Sequence, residues 1–304
     1  MDMKNKHLLN TVRDRISFLY IEKARIEQTD FSVQIIQGVT YTEIPITTIA
    51  CLIFGPGVSI THRAVEIIAE AGCSICWMGT DGCKFYCYGE PATHHSKNIL
   101  IQMKYHETTS LRMLIVRRMY GLRYPKEHLK SKTLESLRGI EGQHVKNMYE
   151  QLAAQYGIDW TGRECKVGNF EDLDDVNKNI TMLNQYLYAI IEAVLVMMGF
   201  SPAIGYIHTG NMKSFVYDIA DLYKEDIVFP LAFKLASEYG YDRNTLNTSF
   251  RNKIVEYELL KKIPKHLKDL FCEAENVCII PEIDGQLWNY KNFINSGKNY
   301  SSEP

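Results

Sequence analysis

The sequence predicts an α+β protein in two parts, a small N-terminal β-rich domain followed by a larger all-α domain. Two observations carry that prediction. In the N-terminal part, apolar residues come in short β-branched or aromatic runs separated by turn residues, the pattern of strands. Beyond residue 96 the apolar spacing changes to the period of helices. Glu90-Pro91-Ala92-Thr93-His94-His95 lies at the switch and reads as a linker, its paired histidines having no third ligand nearby. The expected division is 1–92, 96–275, and a tail over 276–304, partly disordered or partner-binding.

Taken in order, strand-like runs cover residues 16–21, 32–36, 39–44 and 49–54, with Gln37-Gly38 as a hairpin turn. Gly55-Pro56-Gly57 ends that series. Ser59 or Thr61 then caps a helix with Val65, Ile68 and Ala69 on one side, ending at Gly72. Strands at 74–77 and 84–88 flank the turn Thr80-Asp81-Gly82. Helical spacing follows over 98–120, 133–156, 176–198, 212–224 and 243–262, with a polar loop at 159–174. In the tail, Val277-Cys278-Ile279-Ile280-Pro281 is a strand-like run that either joins a partner's sheet edge or folds back on its own domain.

Composition narrows the class. The chain has 304 residues, enough for about two domains, with 46% apolar and 23% charged residues, ordinary for a soluble globular protein. A net charge of −2 means that any DNA contact must come from local patches. One such patch runs over 96–142, where Lys97, Lys104, Arg112, Arg117, Arg118, Arg123, Lys126, Lys130, Lys132 and Arg138 outnumber four glutamates. No stretch has the pattern of a signal peptide, and the apolar run at 188–200 is interrupted by Glu192 and short for a bilayer. No membrane association and a cytoplasmic location are expected. Cys73, Cys76, Cys83 and Cys87 have a zinc-like spacing, but Cys76 and Cys87 fall inside strand patterns, so they are read as core thiols.

Two stretches carry chemistry. In 199–226 a Gly/Pro-punctuated turn bears His208, and the helix after it presents Asp218 and Asp221, three apart and so on one face. Thr209 and Gly210 let the imidazole fold back toward that face. One ring nitrogen with carboxylate oxygens suits Mg²⁺ or Mn²⁺; the same residues also fit a capped turn with a solvated acidic helix. Upstream, Glu141 sits between Gly139 and Gly142 in a helix, glycines that cost about 1 kcal/mol each and suggest close approach of other atoms. Arg138 lies one turn before Glu141, where it can clamp a phosphate or pair internally.

The blocks LRGIEG, PAIGYIHTG and SFVYDIAD, in that order, resemble the CRISPR-associated integrase of spacer acquisition, most closely its subtype I-E form, over residues 15–268. The resemblance implies a metal site of Glu141, His208 and Asp221 holding Mg²⁺ or Mn²⁺, with Asp218 close by and counted as catalytic; Arg138, from its place one turn before Glu141, is added as a catalytic and DNA-binding residue. It implies an endonuclease and integrase that joins the 3′-hydroxyl ends of short double-stranded DNA with 3′ overhangs (prespacers) into a CRISPR repeat array. Lys224 and Arg251 are similar in position to basic residues of the family and are expected near DNA, as is Lys84, where the family form carries Arg. Tyr188 and Tyr217 are read as stacking on or hydrogen-bonding to DNA, or else as part of a helical core. Phe170 stands where the family carries Trp. The implied assembly is a homodimer of this chain, two such dimers flanking a dimer of a small second CRISPR-associated protein. A non-catalytic DNA-binding scaffold and a metal-dependent small phosphoesterase are the alternatives.

Overall fold

The computed structural model describes residues 18–29, 32–79, 85–89, 96–125, 132–164, 170–272, 287–288 and 293–294. The linker at 90–95, Cys83, Lys84, the turn at 80–82 and the run at 277–281 lie outside them. The architecture is β-rich first and helical afterwards, as the residue pattern predicts.

Two four-stranded sheets make the N-terminal part. One runs β1 (Leu19–Ile21), β5 (Cys51–Phe54), β7 (Ser74–Met78), β8 (Phe85–Gly89), with the first three parallel and β8 antiparallel. The other runs β4 (Thr40–Ile44), β3 (Val33–Gln37), β2 (Arg25–Gln28), β6 (Ser59–Ile60). Gly38, at φ 61°, makes the expected β3–β4 turn. Helix α1 (His62–Glu70) is capped by Thr61, whose side chain accepts from the Ala64 amide.

Strand β5 is buried on both faces, which is why it reads Cys-Leu-Ile-Phe rather than alternating. Leu52, Phe54 and Ile75 join the core formed with the second sheet and α1. Cys51, Ile53, Cys76 and Met78 point the other way and join the helical core. Cys73 and Cys76 are therefore buried thiols, Cys76 with its Sγ 3.8 Å from that of Cys51, while Cys87 is exposed.

The helical part comprises α2 (Lys97–Glu107), α3 (Thr109–Arg123), α4 (Leu134–Tyr156), α5 (Asp175–Met197), α6 (Ser214–Ala220), α7 (Phe229–Tyr239), α8 (Arg243–Glu256) and α9 (Leu259–Leu270). Two long helices expected from periodicity are each broken. Thr108, extended at φ −91° and ψ 109°, separates α2 from α3, and Glu258, at φ 55°, separates α8 from α9. Helix α7 is new; a π-helical turn, Lys224–Val228, leads into it, and Pro230 sits in its first turn where no amide is needed. In the tail, β9 (Leu287–Trp288) pairs with β10 (Phe293–Ile294).

Helix α5 is the axis of this part. It is 23 residues long and apolar enough to cross a membrane, longer than the run read from sequence, yet 78% of its apolar window is buried inside the protein. Asp174 caps it through the Asn177 amide. Its one buried carboxylate, Glu192, faces Lys213 Nζ at 3.3 Å, which ties α5 to the residue preceding α6. Phe170 is core, edge-on to Tyr241 at 5.3 Å.

Candidate functional site

His208 and the two aspartates do converge, with different duties. Asp218, fully buried on α6, accepts from the backbone amides of Tyr206 (2.5 Å), Ile207 (3.1 Å) and His208 (2.9 Å). Its Oδ1 also receives His208 Nδ1–H at 2.8 Å. Both oxygens are thereby committed to the turn, so Asp218 orients the imidazole instead of offering itself to an ion. A carboxylate acceptor at Nδ1 leaves Nε2 with its lone pair, and that nitrogen lies 3.9 Å from Asp221 Oδ2. The hydrogen bond to Asp218 raises the His208 pKa; burial opposes it and the nearby Asp221 adds to it.

Asp221 Oδ1 is held by Lys224 Nζ at 2.7 Å. Burial works against the charge on Lys224, but Asp221 and Tyr188 outweigh it, so its pKa is raised. Lys224 Nζ stands 5.1 Å over the Tyr188 ring, Tyr188 meets Tyr217 edge-on at 5.1 Å, and Tyr217 faces the His208 ring at 5.7 Å. These residues therefore form one half-buried rim beside Asp221.

Glu141 is differently engaged. Tyr120 donates to one of its oxygens at 2.7 Å and Arg123 to the other at 2.5 Å. The Arg123 fork continues to Glu225 at 2.7 Å, and Tyr124 donates to the same Glu225 oxygen at 2.6 Å. Arg123, almost wholly buried, keeps its proton against the cost of burial because Glu141, Asp221 and Glu225 surround it. Arg138 donates to the Ile207 carbonyl at 3.3 Å, so the Glu141 helix touches the segment that carries His208.

The expected trio is thus not gathered into one ligand group: among the described residues, no three His, Cys, Asp or Glu side chains are spaced to hold a metal ion. Each of the two carboxylates is instead paired with a cation. Arg123 occupies Glu141 and Lys224 occupies Asp221. The donors still suit a hard divalent cation in kind. Ligands of Mg²⁺ at about 2.1 Å lie about 3.0 Å apart when adjacent and about 4.2 Å when opposite. The 3.9 Å between His208 Nε2 and Asp221 Oδ2 matches neither spacing, so the two side chains must shift to share one octahedral ion.

Other expectations are adjusted. A Cβ at Gly139 or Gly142 would meet nothing within 4 Å, so neither glycine is required by packing. The basic segment is partly used internally: Arg112 donates to Tyr206 O, Arg118 to Leu270 O, Arg123 to the glutamates and Arg138 to Ile207 O. Arg251, on α8, makes none of the contacts described around Glu141, His208 or Asp221. Sequence reasoning did not single out Arg123, Tyr120, Tyr124 or Glu225 as site residues. Arg123 stood in the basic run and Glu225 only four residues after Asp221, but nothing in the sequence pairs them.

The site is thus a carboxylate-oriented histidine beside a second aspartate, carried by a helical unit that adjoins a β-rich one. The family described as CRISPR associated protein Cas1 matches residues 120–269. A relative from Chlorobaculum tepidum, CRISPR-associated endonuclease Cas1 2, is 38% identical over 85% of this chain and 88% of its own length. CRISPR-associated endonuclease Cas1 of Escherichia coli is 34% identical over 90% of this chain and 91% of its own. A solved structure described as the TtCas1-DNA complex superposes with a TM-score of 0.82 at 33% identity, covering 93% of this chain and all (100%) of that one. The chain belongs to the Cas1 family. These matches do not single out the I-E form.

Proposed function

We propose that this chain is a metal-dependent DNA endonuclease and integrase that joins the 3′-hydroxyl ends of short duplexes into a CRISPR repeat array. The observation that carries this reading is the His208 ring, locked by Asp218 with its free nitrogen turned toward Asp221. Membership of a family whose relatives are named endonucleases, and likeness to a DNA-bound relative, support it.

Glu141, His208 and Asp221 would hold Mg²⁺ or Mn²⁺, which polarises a phosphoryl oxygen and makes the attacking hydroxyl more acidic. Glu141 would serve as a ligand on leaving Arg123, which would keep Glu225. Lys224, once free of Asp221, and Arg138 would meet phosphate oxygens. Tyr188 and Tyr217 give the rim a surface on which a base can stack. Asp218 holds the imidazole still throughout. In the transesterification the 3′-oxygen bonds to phosphorus, the bond from phosphorus to the repeat's own 3′-oxygen breaks, and the proton passes from the incoming hydroxyl to the leaving one through solvent. With water as nucleophile the same site nicks DNA. The proposed assembly is a homodimer, two of which flank a dimer of a small second CRISPR-associated protein, since two equal strand ends need two sites at a fixed separation.

The test incubates the purified chain with a 3′-overhang duplex and a supercoiled repeat plasmid, in Mg²⁺ or Mn²⁺ against EDTA. Joined product is expected only with the ion, and none from His208→Ala. Joining by His208→Ala at the parent rate overturns the reading.

A further inference from the structure

The segment 204–208 that delivers His208 has no strand neighbour among the described residues, yet its backbone is gripped on both edges. On one edge, Asp218 takes the amides of residues 206, 207 and 208. On the other, the carbonyls are taken one after another by side chains. Gln102 donates to Ile204 O at 2.8 Å and to Ser201 O at 2.9 Å, and accepts from the Ser201 amide at 2.8 Å. His106 Nδ1 donates to Gly205 O at 2.8 Å, and Arg112 Nε to Tyr206 O at 2.9 Å. Asn98 donates to Met198 O at 2.6 Å, further back along the same stretch.

Asn98, Gln102 and His106 are four residues apart and so form one polar file along α2. Buried backbone groups must be paired, and this file pairs the carbonyls of a stretch that has no sheet ladder to do it. Gln102 is fully buried, and three of its hydrogen bonds go to this stretch. A carbonyl oxygen can only accept, so His106 carries its proton on Nδ1 when it bonds Gly205. Gly205 in turn is pressed against the His208 carbonyl, where a Cβ would come within 2.4 Å. A shift of the Gly205 peptide therefore reaches His208 directly.

We propose that Gln102 and His106 are positioning residues for His208: by holding the Ile204 and Gly205 carbonyls they fix the attitude of the imidazole toward Asp221. The proposal rests on the role given to His208 above, and its test separates the two. His106→Phe keeps an aromatic ring but loses the donor, with His106→Leu as the smaller substitute should the phenyl ring not fit. His106→Asn keeps a donor at the same place, since Asn Nδ2 and His Nδ1 are equally far from Cα. The first readout is the proton resonance of the His208 Nδ1–H bonded to Asp218, which needs no turnover. The second is the single-turnover joining rate beside DNA affinity.

His106→Phe is expected to shift or broaden the His208 resonance and to slow joining about ten- to a hundredfold, with DNA affinity unchanged. His106→Asn is expected to restore both. A role confined to stability would lower the melting temperature and leave the resonance of the folded fraction where it was, and that outcome overturns the proposal. An unshifted resonance together with a parent-like rate in His106→Phe also overturns it. If His208→Ala keeps joining, the catalytic reading falls, while a shift in His106→Phe that is absent in His106→Asn still upholds the positioning.

Discussion

Both oxygens of Asp218 are taken by three amides and one imidazole, all within the 206–218 stretch. The consequence is a pH dependence with a definite sign. The Asp218 hydrogen bond raises the His208 pKa, so the neutral ring, which the proposed function requires as a donor to an ion, appears only as pH climbs above that raised value. Asp218→Asn removes the main cause, and the acid limb of the joining rate is expected to move to lower pH while the maximal rate falls. The stability linkage runs the opposite way: protonated His208 stabilises the fold below its ordinary pKa of about 6.5, and this contribution is lost as pH rises through the raised value. A pH–rate profile and a pH series of melts check both. His208, Asp218 and Asp221 were legible because a turn and one short helix connect them. Arg123 and Glu225 were not, for they lie 102 residues apart and only the packed helices bring them together.

Among the elements, α4 and the 204–208 segment place opposite demands on glycine. Gly205→Ala drives a methyl into the His208 carbonyl and the Ser214 backbone, neither of which can yield cheaply. A loss of about 1–3 kcal/mol is expected, with joining reduced. Gly139→Ala and Gly142→Ala meet open space on an exposed helix face, and each is expected to gain about 1 kcal/mol of stability. Chemical denaturation of the three variants checks the contrast. The sequence suggested the reverse for α4, because helical glycines usually have a packing reason and here the protein supplies none. The break at Thr108 was invisible for a related reason. Neither Gly nor Pro marks it, and the side chains of α2 and α3 continue a similar pattern across it. The α2 file was equally hidden, since a Gln and a His inside an apolar helix acquire meaning only once the carbonyls opposite them are known.

At the level of the whole molecule, the change of period near residue 96 correctly announced β-rich and helical parts, but not how they adhere. Strands β5 and β7 give alternate residues to two cores, so one sheet belongs to both parts. Arg243 on α8 adds a polar tie, reaching Glu22 Oε2 at 3.1 Å and Tyr20 Oη at 3.2 Å. Ile53, fully buried on the helical side of β5, is the residue through which to test this. Ile53→Ala is expected to cost about 2–5 kcal/mol and to shift a single calorimetric transition; two separate transitions, with only one moved, would show that the parts melt independently.

The Arg123 fork between Glu141 and Glu225, and Lys224 on Asp221, have a final consequence. The acidic groups carry their own counter-charges, so the polypeptide can be made and folded before it meets any inorganic cofactor. On the proposed function, loading would be an exchange of one cation for another, and its strength the difference between two attachments. Availability of the ion would govern when the protein works, and leave untouched whether it holds its shape.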